Sequence, residues 1–127
     1  MTNDAPWALD MNAGPIFLQI AQNVRRALAR GDLVAGEKLP SARDLAQRLS
    51  VNPNTVVHAY AQLEAAGVIE TKRGLGTFVR EDAPVGTMQD ELLKAAAQRY
   101  AGEAHRLGVS NEEARAVVEE VLDAGNT

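Results

Sequence analysis

Residues 36–79 constrain the fold of this chain more than any other stretch, and their sequence is GEKLPSARDLAQRLSVNPNTVVHAYAQLEAAGVIETKRGLGTFV. Two segments that begin with typical helix-capping residues are followed by a glycine and then by two β-branched segments around a basic, glycine-rich turn. Local signals in this order predict two helices joined by a short turn and followed by a β-hairpin. We therefore expect an α+β fold that is mainly α-helical.

Both helices of this stretch have clear start signals. Ser41 suits an N-cap, and the charge of Asp44 three residues later favours the same helix end. Asn52 suits a second N-cap, and Pro53 follows at the first helical position, where its missing N–H costs nothing. The expected apolar faces are Leu45, Ala46 and Leu49 in the first helix and Val56, Val57, Tyr60, Leu63 and Ala66 in the second, which Gly67 ends.

A further helix is expected before these two. Pro15 suits its first turn, and apolar residues then recur every three to four positions until Gly31. The residues of this stripe are Ile16, Phe17, Ile20, Val24 and Leu28. Residues 1–13 show no periodicity, and we expect them to form an N-terminal arm in which Leu9 and Trp7 pack against the domain.

The hairpin completes the expected domain. Residues 68–71 and 77–80 are rich in β-branched and aromatic side chains and predict two strands around the turn 72–76. Residues 14–82 are therefore expected to form a winged helix-turn-helix, and residues 83–127 a separate tail. In the tail, Ser110 and Glu113 predict a capping box at the start of the last helix.

The net charge of −4 is unevenly distributed. Residues 14–80 carry nine Lys or Arg and five acidic residues, whereas residues 81–127 carry four basic and ten acidic residues. A basic region joined to an acidic tail is consistent with contact between the basic region and a polyanion. Chance asymmetry in a small protein is the alternative, so charge adds only modest support.

The sequence also bears on location and on bound groups. It contains no cysteine and no apolar run of the roughly 18 residues that a membrane span requires. The first residues, MTNDAPWALDMNAGP, lack the basic start and apolar stretch of a secretory signal. We therefore expect a cytoplasmic protein with no membrane partner, no metal and no cofactor.

A helix-turn-helix with a basic hairpin suggests contact with double-stranded DNA. The major groove admits one α-helix, and the N-terminal residues of a recognition helix reach the base edges. Asn54 and Thr55 offer hydrogen-bonding groups there, and His58 lies one turn further along. Asn52 could contact DNA or act only as a cap. Arg43, in the first turn of the preceding helix, suits a guanine or a phosphate, with a solvated surface arginine as the alternative.

The turn of the hairpin carries the remaining expected contacts. Lys72 and Arg73 would lie against phosphates, while Gly74 and Gly76 permit a tight turn and could be purely structural. The complete set of residues expected to contact DNA is Ser41, Arg43, Asn52, Asn54, Thr55, His58, Lys72, Arg73, Gly74, Gly76 and Thr77.

Residues 36–79 resemble the DNA-binding domain of the GntR family of bacterial transcriptional regulators. The shared pattern is LPS-x-R-x-LA-x-x-L-x-V-x-x-x-TV-x-x-A-Y-x-x-L-E-x-x-G-x-I-x-x-x-x-G-x-G-T-F-V. The resemblance implies a transcription factor, by family habit a repressor, in which Arg43, Asn54 and Thr55 contact DNA. Many members carry an arginine where this chain has Pro53 and a basic residue near Val57, so the base contacts of those arginines cannot be carried over.

The tail is similar to that of the small YtrA-type subgroup, which dimerises through this region. Two amphipathic helices of some forty residues are too few for a core of their own. They could fold back on the same chain, but we expect a homodimer that binds a palindromic operator. The expected dimerisation residues are Met88, Leu92, Leu93, Ala96, Tyr100, Val117, Val118, Val121 and Leu122.

Two other functions compete with DNA reading. An enzyme is disfavoured because His58 and His105 belong to no metal-ligand or catalytic spacing. A winged-helix protein-interaction module that reads no sequence is the main alternative, although it needs no basic wing. A small-molecule effector is an open question, with Tyr100 or His105 at a dimer interface as a speculative location.

Overall fold

The computed structural model describes residues 7–125, and the part of the expected N-terminal arm at residues 1–6 lies outside this range. Contacts divide the chain into two compact units, Met1–Gln89 and Asp90–Thr127. Within the described residues the helices are α1 (Ile16–Arg30), α2 (Ala42–Leu49), α3 (Pro53–Ala65), α4 (Val85–Arg106) and α5 (Asn111–Gly125), and the strands are β1 (Lys38–Leu39), β2 (Ile69–Lys72) and β3 (Gly76–Val79).

The predicted helix ends of the first unit are confirmed. The Ser41 hydroxyl accepts a hydrogen bond of 3.1 Å from the Asp44 N–H, and Asn52 Oδ1 accepts one of 2.8 Å from the Asn54 N–H. Each cap satisfies a backbone donor that has no partner inside its helix. Gly67 follows α3 with a φ of +76°, a left-handed conformation that glycine adopts without a Cβ penalty.

The core of the first unit lies where α1, α2 and α3 meet the sheet. Val56, Ala59, Tyr60 and Leu63 form the buried face of α3. The largest fully buried side chains are Ile20, Val24 and Leu28 of α1, Leu45 of α2, Val56 and Leu63 of α3, and Val68, Ile69 and Val79 of the hairpin region. Trp7 is also buried and Leu9 half-buried against this core, so both expected arm residues pack down.

The sheet has three strands in the order β1-β3-β2, all antiparallel. Strand β1 was not predicted, because two residues show no periodicity and their pairing partner lies far along the chain. Lys38 pairs with Phe78, and Leu39 pairs with Thr77. The hairpin strands lie one residue away from their predicted bounds, so Lys72 and Gly76 form the last pair before the turn.

Met88 packs with the first unit, although the sequence predicts it in the tail. This residue lies in the first turns of α4, yet its side chain is only 4% exposed and belongs to the core of the first unit. The two compact units divide after Gln89, whereas the sequence predicts a domain that ends at Asp82. The role of Met88 in dimerisation stays a prediction. The apolar spacing of α4 includes Met88, but this spacing does not show which surface the side chain packs against.

The second unit consists of the rest of α4 and of α5. The Tyr100 hydroxyl donates a 2.7 Å hydrogen bond to the Ala114 carbonyl. The Glu113 N–H donates to the Ser110 hydroxyl at 3.2 Å, which is the N-cap half of the predicted capping box. Between residues 90 and 125 no residue is buried. The apolar stripe of α5 is exposed in the single chain, where Val121 is 65% exposed.

Candidate nucleic-acid interface

The N-terminus of α3 is ordered by its cap and presents polar side chains. Only Oδ1 of Asn52 is used by the cap, so its amide NH₂ group is left as a donor. Asn54 is exposed and Thr55 is half-buried. A rigid helix end with hydrogen-bonding side chains has the chemistry that base edges require.

Tyr60 fixes α3 to the segment that leads into α2. Its hydroxyl donates a 2.7 Å hydrogen bond to the Pro40 carbonyl, next to the Ser41 cap. Burial raises the pKa of Tyr60 well above its ordinary value, and the nearby positive charge of Arg48 opposes this shift only in part. The phenol is therefore neutral and remains a hydrogen-bond donor. Arg43 is exposed in the first turn of α2, which follows this segment.

The wing is a short hairpin with its basic residues outside the core. Residues 73–75 form the turn, where the Leu75 N–H donates to the Lys72 carbonyl at 2.9 Å. Lys72 Nζ lies 5.0 Å from the centroid of the Phe78 ring, a cation–π contact that orders this side chain. Arg73 is exposed at the tip, where it is accessible to a phosphate.

Gly76 is favoured by its backbone conformation, because a φ of +123° is disfavoured for residues with a Cβ. A Cβ there would come within 2.8 Å of Lys38 Cε, the far end of a flexible side chain that can shift aside. Lys38 of the unpredicted strand β1 therefore lies beside the wing. It adds a third basic side chain to a surface for which only Lys72 and Arg73 were expected.

A groove of about 730 Å³ connects the helix-turn-helix with the sheet. Val57 and Ala61 of α3 line one wall, while Gly76 and Thr77 of β3 line the other. Ser41 also lines this groove. Of the residues expected to contact DNA, Ser41, Gly76 and Thr77 line this groove and the other eight do not. Four acidic residues also line it, namely Asp32, Glu37, Asp44 and Glu64.

His58 does not line this groove. Its imidazole ring stacks on the Phe17 ring of α1, with centroids 3.9 Å apart and an angle of 10° between the ring planes. The ring is directed at α1, and His58 is absent from the groove that Val57 and Ala61 line. The stack on Phe17 leaves the His58 side chain exposed, so its expected contact with DNA stays a prediction.

Arg80 contributes less positive charge to this surface than the sequence suggested. Its Nε lies 2.7 Å from Asp82 Oδ1 and its Nη2 lies 3.0 Å from Oδ2. These hydrogen bonds lower the pKa of Asp82 and raise that of Arg80, so both groups stay charged and balance each other. The net positive charge near the wing therefore comes from Lys38, Lys72 and Arg73.

Val57 was expected on the buried face of α3, and the structure corrects this. Its side chain is 53% exposed, whereas Val56 next to it is fully buried. The helical spacing of apolar residues places both valines near the apolar face of α3. Only the packing against the rest of the first unit shows which of the two is buried. In the sequence, the one sign that this position is unusual was its departure from the family pattern.

In residues 7–125 no group of three or more His, Cys, Asp or Glu residues is placed to hold a metal ion. No helix in that range is both long and apolar enough to cross a bilayer.

The fold and this surface together define a winged-helix DNA-binding domain. The sequence profile described as "Bacterial regulatory proteins, gntR family" matches residues 17–79. The chain belongs to the GntR family and is a DNA-binding transcriptional regulator.

Two curated relatives cover most of the chain. The uncharacterized HTH-type transcriptional regulator YhcF of Bacillus subtilis is 40% identical over 100 residues, which are 78% of this chain and 83% of YhcF. The HTH-type transcriptional repressor YtrA of the same organism is 37% identical over 109 residues, 84% of each chain.

Solved structures agree with this assignment. A GntR family transcriptional regulator from Listeria monocytogenes has a TM-score of 0.75 at 34% identity and covers 88% of this chain and 98% of its own. The DNA-binding domain of AraR, solved in complex with operator ORX1, has a TM-score of 0.50 at 25% identity and covers 56% of this chain and 86% of its own.

Proposed function

We propose that this regulator is a cytoplasmic repressor that binds a palindromic operator as a homodimer. The observation that carries the proposal is the capped N-terminus of α3, which presents an exposed Asn54 in a domain that also carries the exposed basic residues Lys72 and Arg73 in its wing. Repression is supported by the name of the relative YtrA, and operator binding by the AraR complex.

Within this proposal the expected DNA contacts have distinct tasks. Asn54 and Thr55 reach base edges from the start of α3, and Arg43 reaches a guanine or a phosphate from α2. Lys72 and Arg73 contact phosphates from the wing, which orients the domain without reading sequence. The remaining proposed contacts either cap a helix or lie in the wing, and they are Ser41, Asn52, Gly74, Gly76 and Thr77.

The exposed apolar surface of the second unit supports the homodimer. A unit of 38 residues in which none of the described residues is buried has no core to stabilise it. Leu93, Val121 and Leu122 are between 61% and 70% exposed. A second copy of the same two helices would cover these side chains, and two-fold symmetry would then place two recognition helices for two half-sites.

Selection of bound duplexes from a random pool tests the proposal. We expect an enriched palindrome whose half-site centres are roughly 34–36 Å apart, one helical turn or a multiple of it. The logarithm of the affinity for the selected duplex should fall linearly with the logarithm of salt concentration, as counterions are released. Recovery of no preferred sequence would favour the protein-interaction module instead.

A variant of the full chain tests the dimer. Val121→Glu combined with Leu122→Glu adds charge to the exposed stripe of α5, and we expect a monomer in sedimentation with much weaker operator binding. Val34→Glu is a matched control, because Val34 is also exposed, at 57%, but lies in the loop after α1. A double variant that still sediments as a dimer would exclude this interface.

The proposal includes a place for a small-molecule effector in the second unit. A groove of about 400 Å³ lies between α4 and α5 and is lined mainly by small apolar side chains together with Tyr100 and Arg115. His105 does not line it. A ligand there would change the spacing of the two helices and so the geometry of a dimer. Thermal-shift screening of the full chain against metabolites measures such binding directly.

A further inference from the structure

Val57 is an exposed apolar residue for which the fold supplies no reason. It lies in the second turn of α3 and is 53% exposed, while the buried face of that helix consists of Val56, Ala59, Tyr60 and Leu63. Valine is also a weaker helix former than alanine, because its branched side chain loses rotamer freedom in a helix. Neither packing nor helix propensity therefore accounts for a valine here.

The position of Val57 connects it with the proposed base-reading end of the helix. It follows Asn54 by three residues, a spacing that places two side chains on the same side of an α-helix. It also lines the groove of the first unit, together with Tyr60, Ala61 and Glu64 of α3 and Thr77 of β3. Val57 and Ala61 therefore present methyl groups in this groove, between Asn54 at the N-terminal end of α3 and Glu64 further along the helix.

The chemistry of such a surface restricts which base edge it can face. Val57 and Ala61 have no side-chain donor or acceptor, so a base edge that presents only polar groups would lose its hydrogen bonds to water without replacement. The apolar group exposed in the major groove is the C5-methyl of thymine, which is recognised by apolar contact. Burial of that methyl against a valine would be favourable and would leave no polar group unpaired.

We propose that Val57 determines specificity by contacting the C5-methyl group of one thymine in each operator half-site. This inference rests on the proposed function, since it requires that α3 enters the major groove. It adds a defined base preference at a position where the arginine contacts of other family members do not apply.

Replacement of thymine by deoxyuridine tests the contact, because it removes the C5-methyl and leaves base pairing intact. Each thymine of the selected duplex is replaced in turn, and affinity is measured for the wild type and for Val57→Ala. At one thymine per half-site the wild type should bind roughly fourfold more weakly to the deoxyuridine duplex, as expected for the loss of one buried methyl group. Val57→Ala should bind the two duplexes equally.

Val34→Ala is the matched control, since it truncates a valine of similar exposure outside α3. This variant should keep the fourfold difference, and neither variant should unfold at a clearly lower temperature than the wild type, since alanine favours the helix at position 57. If every thymine-to-deoxyuridine change affects the wild type and Val57→Ala equally, the contact is absent while sequence-specific binding stands. If the wild type selects no sequence at all, the proposed function fails and this inference fails with it.

Discussion

The imidazole of His58 lies parallel to the phenyl ring of Phe17, with 3.9 Å between the ring centroids. This contact joins α3 to the first turns of α1, on a part of α3 that does not line the groove toward the wing. It gives His58 a structural role in orienting α3.

The Phe17–His58 stack should contribute to stability more than to DNA binding. A double-mutant cycle with Phe17→Ala and His58→Ala should give a coupling of about 0.5–1.5 kcal/mol in the free energy of unfolding, the range for stacked rings. Urea denaturation measures this coupling. His58→Ala should weaken operator binding less than Asn54→Ala does. A loss in affinity equal to that of Asn54→Ala, without a change in stability, would indicate that His58 contacts DNA.

Asn54 and Arg73 should differ in the kind of binding that they support. Asn54→Ala should cost about 1–3 kcal/mol on the selected operator and relax the preference at particular bases, because it removes base-edge hydrogen bonds. Fluorescence anisotropy with single-base variants of the operator measures both effects. Equal losses on operator and random duplexes would contradict base reading by Asn54.

Arg73→Ala should weaken binding to all sequences by a similar factor and reduce the salt slope by about one, if its guanidinium contacts a phosphate. The measurement is affinity for operator and random duplexes at several salt concentrations. Arg99→Ala is a control, because Arg99 is an exposed arginine of the second unit. A salt slope that is unchanged by Arg73→Ala would exclude the phosphate contact.

Tyr60→Phe should lower the free energy of unfolding by about 1–2 kcal/mol, because it leaves the Pro40 carbonyl without the hydrogen bond that it accepts at 2.7 Å. The ring itself is retained, so packing in the core changes little. Chemical denaturation at neutral pH measures the difference. An unchanged stability would mean that water replaces the phenol at this carbonyl.

The same tyrosine should make the protein less stable in alkali. Burial raises the pKa of Tyr60 in the folded chain, whereas the unfolded chain ionises near the ordinary value of about 10. Stability is therefore fully retained below that pH and falls as pH rises above it, by at most about 1.4 kcal/mol per pH unit for this group. Tyr60→Phe should show a shallower decline above pH 10, measured by unfolding at a series of pH values. An identical decline would exclude this cause.

Gly67→Ala should destabilise the first unit by roughly 1–2 kcal/mol through its backbone alone. A Cβ at this position would meet no atom within 4 Å, so the cost comes from the φ of +76° and not from a clash. Gly67→Asn is the matched control and should cost less, since asparagine tolerates the left-handed conformation. Thermal unfolding compares the two, and equal losses would point to a cause other than backbone conformation.

Several features of this protein were determined by the sequence itself because they depend on neighbours within a few residues. The caps at Ser41 and Asn52, the stop at Gly67 and the capping box at Ser110 are local hydrogen-bond and backbone preferences. The order of these signals was sufficient to predict the winged helix-turn-helix and its resemblance to the GntR family.

Other features were decided only by tertiary structure, because burial depends on which element covers a given face. Periodicity placed Val57 and Met88 on apolar stripes, but packing left Val57 at the groove and buried Met88 in the core of the first unit. Strand β1 exists through its pairing with β3, and the direction of His58 follows from its contact with Phe17. These contacts join residues far apart in the chain, and a local pattern carries no information about such partners.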